Sequence, residues 1–569
     1  MARARTIFSR VAAGWLLAGL CVAPSMAQQS WLVDWASQKQ LQIHTVSVGD
    51  DAENFSAPVP LELPTRIRRE LTPSEQARAD ATISLYSAMI GGNAPNSLLW
   101  SGIETANPLT RDEGYRWNSL RDQGLFDPDQ RAKLISEVQS LGLVNIRIGL
   151  SNHEIDLDEP ASWAEHDAFV SDLAKAGLNL SLDIHHFGIE DRFRVTDAAG
   201  RTIPSRSYYL NPEWPDYFAR FAAVAFERYG ASIKAVTLIN EPETTVGFNS
   251  EMWNGGFPGW GDPRHGQYYI ERAFALARAA VKARSAIQSQ LQSSGQRMLF
   301  MHTEAAVYKP GRPDFNRFVR FIPSDLILGQ SWLLNADLET LANTPLAALD
   351  RRVRRTQAAQ KTSLDWLVGA YVLSTHSLPE REARRTRLLE LLTELRDLHL
   401  ALARDFGVTM KTDTVFAADY YAHNEDVDPQ GAWLNPEPQL YAAQMQGGAR
   451  RGLYPLIIDY YNHYGLPMMI GETGTPFYAY GARWHAQLLL ELAQTMQEGV
   501  PMLGYTIYPL VDTRGWERAL SVPKSRTTVN TGGILDVALE ARPFIRALLQ
   551  SLNNQTAENL QSVAPQSVQ

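Results

Sequence analysis

The sequence predicts an α/β protein, a (β/α)8 TIM barrel with an N-terminal lead-in and a helical insertion between strands 5 and 6. Two observations predict it. Eight short apolar runs alternate with stretches of helical spacing, which is the pattern of repeated βα units. Two of these runs, residues 238–243 and 468–474, carry Glu241 and Glu472 at their ends, and in such a barrel the carboxyl ends of all strands open onto one functional face.

The predicted strands lie in residues 96–548, which we assign as the barrel domain. Continuous apolar runs are typical of parallel strands that are buried on both faces. The eight runs are residues 98–104, 143–150, 178–185, 235–240, 298–304, 414–421, 467–472 and 502–508. Helical patterns over residues 129–140, 217–229, 269–290 and 486–497 separate several of them. Eight is the strand number of this barrel.

Three segments do not follow the strand–helix repeat. Residues 28–95 hold prolines and turn formers and then helical spacing over 72–90, so we expect an extension packed on the barrel. Residues 305–413 form the longest gap between strands, and their Arg-, Glu- and Leu-rich run over 378–404 predicts one or two long solvated helices. Within this gap, residues 326–332 are an alternative candidate for a barrel strand. The polar residues 549–569 predict a disordered tail.

The N-terminal residues 1–27 have the pattern of a secretory signal peptide. A basic start precedes an apolar stretch over 11–22 that is too short to span a bilayer, and small residues follow at 25–27. We therefore expect a secreted or periplasmic protein without stable membrane insertion after cleavage; a membrane anchor is the alternative. Cys21, the one cysteine, lies in this segment, so the mature chain would have no disulfide and no thiolate metal site.

Composition limits the classes of partner. The 569 residues are 45% apolar and 20% charged with a net charge of -9, which is ordinary for a globular enzyme. No basic domain stands out, so we expect no nucleic-acid partner. The 14 Trp and 21 Tyr suit both a protein core and the binding of sugar rings. The oligomeric state does not follow from the sequence.

The two strand-end glutamates suit the hydrolysis of a glycoside. That reaction needs one protonated carboxyl group to protonate the leaving oxygen and one carboxylate on the other side of the anomeric carbon. We predict that Glu472 is the nucleophile and Glu241 the acid/base of a retaining β-glycosidase that uses no cofactor. Asn240 is suited to hydrogen-bond the sugar 2-hydroxyl. The alternative for Glu241 is a helix-capping acid on an ordinary loop.

Further motifs follow the other predicted strands. They are Trp100-Ser101-Gly102-Ile103-Glu104, Asn145-Ile146-Arg147, Asp183-Ile184-His185-His186-Phe187-Gly188, Asp419-Tyr420-Tyr421, the run from Gly504-Tyr505 to Trp516-Glu517, and Gly533-Ile534-Leu535-Asp536. Over residues 97–540 the chain resembles glycoside hydrolase family 1, the β-glucosidase and β-galactosidase type, within the clan of retaining glycosidases that place both glutamates after strands four and seven. The resemblance implies that Arg147 positions the nucleophile, that His186 binds the glycone and that the Tyr420 hydroxyl contacts the nucleophile.

The chain departs from the family pattern at three places. At the nucleophile, Gly471-Glu472-Thr473-Gly474 stands where the family usually has Thr-Glu-Asn-Gly; in strand eight, Tyr508-Pro509 replaces Trp-Ser; and the glycone pocket also differs. The strand-one glutamine of the family has no clear match, and Glu104 is nearest to it. The family's Glu-Trp pair, which binds the 4- and 6-hydroxyls of the sugar, is shifted here to Gly515-Trp516-Glu517, so Trp516 is the candidate binding residue. Trp260, in the glycine-rich loop after the acid/base strand, is a candidate for stacking on a sugar. We therefore expect conserved catalytic chemistry in a rebuilt pocket, and glucose or galactose specificity does not carry over.

Several alternatives remain at this point. Arg147 and His186 could be core residues with satisfied partners. His185, His186, His302, Glu304 and His423 lie near predicted strand ends and suggest metal-dependent hydrolysis, but no HExxH or similar spacing supports it, so we expect no metal. A transglycosylase would use the same residues. A carbohydrate-binding protein without catalysis is the rival from another class. The hydrolase, the transglycosylase and the non-catalytic binding protein would all have a carbohydrate as their partner.

Overall fold

A closed barrel of eight parallel strands forms the body of the protein. The computed structural model describes residues 68–90, 99–103, 119–187, 190–193, 209–247, 263–309, 313–356, 360–421, 424–425, 452–474, 478–514, 529–530, 532–542, 546 and 549. The predicted signal peptide, the lead-in before residue 68 and the predicted tail after residue 549 lie outside these residues, and the domain boundaries stay predictions.

All eight predicted strands are present, so the predicted fold class is confirmed. They are β1 Leu99–Ile103, β2 Asn145–Gly149, β3 Asn179–Asp183, β4 Ala235–Thr237, β5 Leu299–Ala305, β6 Thr414–Asp419, β7 Met468–Thr473 and β8 Met502–Ile507. Each strand pairs in parallel with the next, and β8 pairs with β1 to close the barrel. A short antiparallel pair, Thr513–Arg514 with Val529–Asn530, follows the barrel.

Helices surround the strands where the sequence predicts them. The four predicted patterns lie in helices Pro128–Ser140, Trp214–Tyr229, Pro263–Ser294 and Tyr478–Gln497. Further helices are Ser119–Asp122, Ala164–Lys175, Pro242–Gly247 and Leu453–Tyr464. Among the described residues, no helix combines the length and the apolar character that crossing a bilayer requires.

The insertion between β5 and β6 is helical, as predicted. It contains helices Ile322–Leu328, Ser331–Leu334, Leu338–Asn343, Leu346–Arg355, Ser363–Leu367 and Leu378–Phe406. The 29-residue last helix is less solvated than predicted, because it buries a leucine stripe and packs against Pro263–Ser294. The strand alternative at residues 326–332 is wrong. The helix Ile322–Leu328 is buried on every side, and a short apolar run without a polar face does not distinguish a buried helix from a strand.

An apolar cluster inside the barrel explains why the site lies at one end. This cluster fills the barrel itself, with Trp100, Leu299, Val415 and Met469 among its members. Helix Pro73–Ile90 from the lead-in joins this cluster, and its Tyr86 hydroxyl accepts a hydrogen bond of 2.8 Å from Trp100 Nε1. This helix covers the end of the barrel where the strands begin. The opposite mouth, where the strands end, remains for chemistry.

Candidate active site

An irregularity in β7 turns Glu472 toward the barrel mouth. Ala418 pairs with Ile470 and the next residue, Asp419, pairs with Glu472, so Gly471 is the extra residue of a β-bulge. A Cβ atom at Gly471 would lie 2.2 Å from Asp419 Oδ1 and 2.9 Å from the Ala417 side chain. Only glycine fits this position without moving its neighbours. The Gly-Glu pair therefore has a steric reason in addition to a chemical one.

Both carboxylate oxygens of Glu472 accept hydrogen bonds. Arg147 Nη1 donates to Oε1 over 2.5 Å, and the Tyr421 hydroxyl donates to Oε2 over 2.8 Å. Glu472 is 4% exposed, so its charge has little compensation from water. A buried guanidinium and a hydroxyl donor favour the ionised form of such a carboxyl group. These contacts suit a nucleophile that is fixed in position.

Arg147, from β2, connects the ends of four strands. Its Nη2 atom donates to Asp183 Oδ2 over 3.0 Å and to Asn240 Oδ1 over 2.6 Å. His186 Nδ1 lies 2.8 Å from the same Asp183 oxygen, and His186 Nε2 lies 3.3 Å from Asn240 Nδ2. This network assigns the Nδ1–H tautomer to His186, because Asp183 accepts and the Asn240 amide donates. Arg147 and His186 therefore share one hydrogen-bond network with Asp183 and Asn240 at the mouth of the barrel.

Glu241 follows β4 in an unusual backbone conformation. Its φ is +39°, a region that residues other than glycine rarely occupy and that is common at functional sites. Helix Pro242–Gly247 begins directly after it, and Thr245 donates from its backbone N–H to the Glu241 carbonyl over 2.8 Å. The Thr245 hydroxyl also donates to the Asn240 carbonyl over 3.0 Å. The short helix therefore holds the conformation of Glu241.

The environment of Glu241 keeps a proton on its carboxyl group. Burial, followed by the negative charge of Glu472, raises the pKa of Glu241 to about 8; a hydrogen bond from Thr244 and the charge of Arg147 oppose this rise. Carboxyl oxygens of Glu241, Glu472 and Asp419 all lie within 4.8 Å of one another. A separation of about 5 Å between two carboxyl groups is typical of retaining glycosidases, whereas inverting enzymes need roughly 6.5–9.5 Å.

The structure corrects one predicted contact. The sequence resemblance assigned the hydroxyl that contacts the nucleophile to Tyr420, but the Tyr420 hydroxyl donates to Glu425 Oε1 over 2.6 Å. Its ring stacks on Trp484 outside the barrel, with centroids 5.7 Å apart. The next residue, Tyr421, makes the contact with Glu472 instead. Successive side chains at a strand end point to opposite faces, so an error of one residue moves the hydroxyl out of the site.

The histidines that suggested a metal site have other partners. His185 lies 2.9 Å from Asn152 Nδ2 and 3.0 Å from the Tyr209 hydroxyl, and burial lowers its pKa to about 3. His302 lies 2.8 Å from the Ser324 hydroxyl. Within the described part of the chain, the carboxyl groups of Glu241, Asp419 and Glu472 are the set close enough to share a cation. Arg147 already forms an ion pair of 2.5 Å with Glu472 of this set.

Not every site prediction falls on described residues. Glu104, Trp260, Trp516 and His423 lie outside them, so their roles stay predictions. Asp419, in contrast, lies at the mouth beside both glutamates, although the sequence predicts no role for it beyond its place in the Asp419-Tyr420-Tyr421 motif. The signal for it was the same as for the two glutamates, an acid at the end of an apolar run.

Sequence comparison relates the chain to a β-galactosidase. No model of a known protein family matches the chain. A β-galactosidase of Sulfolobus acidocaldarius is 22% identical over 399 residues, which cover 66% of this chain and 68% of that protein. The matched protein is of the β-galactosidase type, as the predicted resemblance leads us to expect.

Solved structures of similar overall extent also match. The family 1 β-glucosidase of Thermotoga maritima has a TM-score of 0.48 at 14% identity, over 80% of this chain and 97% of that chain. The β-glucosidase from the same organism in complex with noeuromycin has a TM-score of 0.48 at 13% identity, over 80% and 98% of the two chains.

Proposed function

We propose that this protein is a retaining β-glycosidase that hydrolyses O-glycosidic bonds of oligo- or polysaccharides through a covalent glycosyl-enzyme intermediate. One observation carries the proposal. The carboxyl groups of Glu241 and Glu472 face each other within 4.8 Å, and their surroundings differ: Glu472 receives two donors, whereas burial keeps Glu241 protonated. Two carboxyl groups in such different surroundings at this distance match the requirement of the retaining reaction.

In the first step, a Glu472 oxygen attacks the anomeric carbon while the bond to the leaving oxygen breaks. The proton of Glu241 moves to that oxygen, so the aglycone leaves as an alcohol and Glu241 becomes a carboxylate. In the second step, Glu241 takes a proton from water, the resulting oxygen attacks the anomeric carbon, and Glu472 leaves as a carboxylate. Both groups return to their starting states.

The neighbouring residues support each step. Arg147 and Tyr421 hold the carboxylate of Glu472 before attack and stabilise it again when it leaves the sugar. Arg147 also orients the Asn240 amide through its Oδ1 atom, and Asn240 precedes the acid/base directly. An amide in this position suits a hydrogen bond to the sugar 2-hydroxyl, which strengthens as the oxocarbenium-like charge develops.

The test is mass spectrometry of the intact protein after incubation with a panel of 2-deoxy-2-fluoro β-glycosides. Such compounds form the covalent intermediate of a retaining enzyme and slow its breakdown. We expect one adduct on the peptide that contains Glu472, and none with Glu472→Gln. The reactive member of the panel identifies the glycone, and added acceptor sugars distinguish hydrolysis from transglycosylation. An adduct elsewhere, or inversion of the product by proton NMR, would reject the proposed mechanism.

We also propose that the protein acts outside the cytoplasm, on the basis of the pattern in residues 1–27. The N-terminal sequence of the protein purified from the producing cells tests this proposal. A mature N-terminus at Gln28 supports export, and a retained Met1 in the active enzyme contradicts it.

A further inference from the structure

A third carboxyl group faces the two catalytic ones. Asp419 ends β6 and is fully buried, and one of its oxygens lies within 4.8 Å of both Glu241 and Glu472. Neither oxygen of Asp419 has a hydrogen-bond partner among the described residues. A buried polar group without a partner costs about 1–3 kcal/mol. The arrangement is therefore explained if a bound molecule supplies the missing partner.

The backbone fixes this carboxyl group in place. Tyr420 donates from its N–H to the Glu472 carbonyl over 2.8 Å, and the Thr473 hydroxyl donates to the Tyr420 carbonyl over 2.6 Å. The Asp419 carbonyl accepts a hydrogen bond of 2.8 Å from the Ala306 N–H. Gly471 lies directly beneath the Asp419 side chain, as the 2.2 Å approach of a hypothetical Cβ shows. Asp419 thus holds a carboxyl oxygen within 4.8 Å of both catalytic carboxyl groups.

The charges around Asp419 favour an uncharged carboxyl group. Burial, and then the negative charge of Glu472, raise the pKa of Asp419 well above its usual range; Arg147 lowers it, and Glu241 and Glu304 raise it further. The Arg147 guanidinium, which faces the cluster, is engaged by Glu472, Asp183 and Asn240. A protonated carboxyl group offers both a donor and an acceptor, which is the complement of a hydroxyl group.

We propose that Asp419 is a further substrate-binding residue, whose carboxyl group hydrogen-bonds the hydroxyl group of the sugar carbon next to the anomeric carbon. The proposal rests on the function proposed above, because the anomeric carbon must lie between Glu241 and Glu472. Of the two ring atoms bonded to that carbon, only carbon 2 carries a hydroxyl group, and a protonated carboxyl group within reach of both catalytic groups can donate to this hydroxyl and accept from it. The site would select glycones with a hydroxyl group at that carbon, and Asp419 would contribute to this selection together with Asn240.

Kinetics with a pair of substrates tests this contact. An aryl β-glycoside accepted by the wild-type enzyme is compared with its 2-deoxy analogue, in the wild type and in Asp419→Ala and Asp419→Asn. We expect Asp419→Ala to lose about 10- to 100-fold in kcat/KM on the 2-hydroxy substrate, as for a lost buried hydrogen bond, and to change little on the 2-deoxy substrate. Asp419→Asn keeps a donor and an acceptor and is expected to retain most of the activity.

Each other outcome overturns the proposal. If kcat/KM of Asp419→Ala fell equally on both substrates, Asp419 would have a structural role. If kcat/KM did not fall on either substrate, Asp419 would not contact the sugar. Loss in both variants together with a preference of the wild type for a 2-amino-2-deoxy glycoside would indicate an ionised Asp419 that binds an ammonium group. Thermal unfolding of each variant separates misfolding from a lost contact. If the wild type shows no turnover, the proposed function fails, and calorimetric binding of the same substrate pair still tests the contact with Asp419.

Discussion

The hydroxyl that holds the nucleophile provides the sharpest test of the site, because two adjacent tyrosines compete for the role. Tyr421→Phe removes the 2.8 Å hydrogen bond to Glu472 Oε2 and leaves the ring in place. A hydrogen bond to a charged group contributes about 1.5–3 kcal/mol. We expect kcat/KM to fall about 10- to 100-fold, because Glu472 loses one of the two donors that orient it for attack and stabilise it as a leaving group.

Tyr420→Phe is the matched control. It deletes the same atom one residue earlier, where the hydroxyl donates to Glu425 Oε1 on the outer side of the strand. Glu425 Oε1 also accepts from the Gly452 N–H over 2.8 Å, so we expect a lower melting temperature from a loss of about 1–3 kcal/mol, with kcat within about twofold of the wild type. Initial rates on an aryl β-glycoside and thermal unfolding measure both effects. A large kinetic loss in Tyr420→Phe with none in Tyr421→Phe would refute this reasoning.

Three further changes test other parts of the site. Because the pKa of Glu241 is raised to about 8, its protonated form is present below about pH 8 and is lost above it, so kcat/KM should fall as the pH rises above about 8. Glu241→Gln should remove this fall in kcat/KM at high pH. The variant should still cleave aryl glycosides whose leaving groups are strongly acidic. Gly471→Ala should abolish activity and cost about 1–3 kcal/mol of stability, as its Cβ would meet Asp419 at 2.2 Å; a normal rate and melting temperature would contradict the bulge argument. Ser324→Ala removes a hydroxyl of the insertion that donates to Glu304 Oε2 over 2.5 Å, and Glu304 Oε1 accepts from the N–H of Glu243, in the helix that follows Glu241, over 3.0 Å. We expect kcat on substrates with poor leaving groups to fall several-fold relative to the control Ser331→Ala. Equal rates in the two variants would show that the insertion does not support Glu241.

The barrel could be predicted from the sequence because its strands are buried on both faces. Continuous apolar runs placed all eight strands within a few residues of their observed ends. The same property misled the prediction at residues 326–332, since Ile322–Leu328 is a helix that is equally buried. The composition of residues 378–404 predicts a long helix, but it does not show that the leucine stripe of this helix packs against Pro263–Ser294, so the helix is less solvated than predicted.

The catalytic pair could also be predicted, whereas its surroundings could not. Glu241 and Glu472 each end an apolar run, which is a local signal. The choice between Tyr420 and Tyr421 depends on which of the two side chains faces the mouth after β6, and the Asp-Tyr-Tyr motif does not show this. Asp419 was visible as a residue, but its meaning depends on two carboxyl groups from β4 and β7 that approach it only in the folded barrel.

The different roles of the two glutamates have their origin outside both of their motifs. Each glutamate is buried at a strand end, and burial alone raises the pKa of any carboxyl group. The difference is made by β2, which places the guanidinium of Arg147 on Glu472, and by the residues just after β6, where Tyr421 adds its hydroxyl. Glu241 has the charge of Glu472 opposite and the third carboxyl group, Asp419, beside it. Arg147 favours the ionised form of Glu472, and the negative charge of Glu472 in turn raises the pKa of Glu241 by more than the charge of Arg147 lowers it.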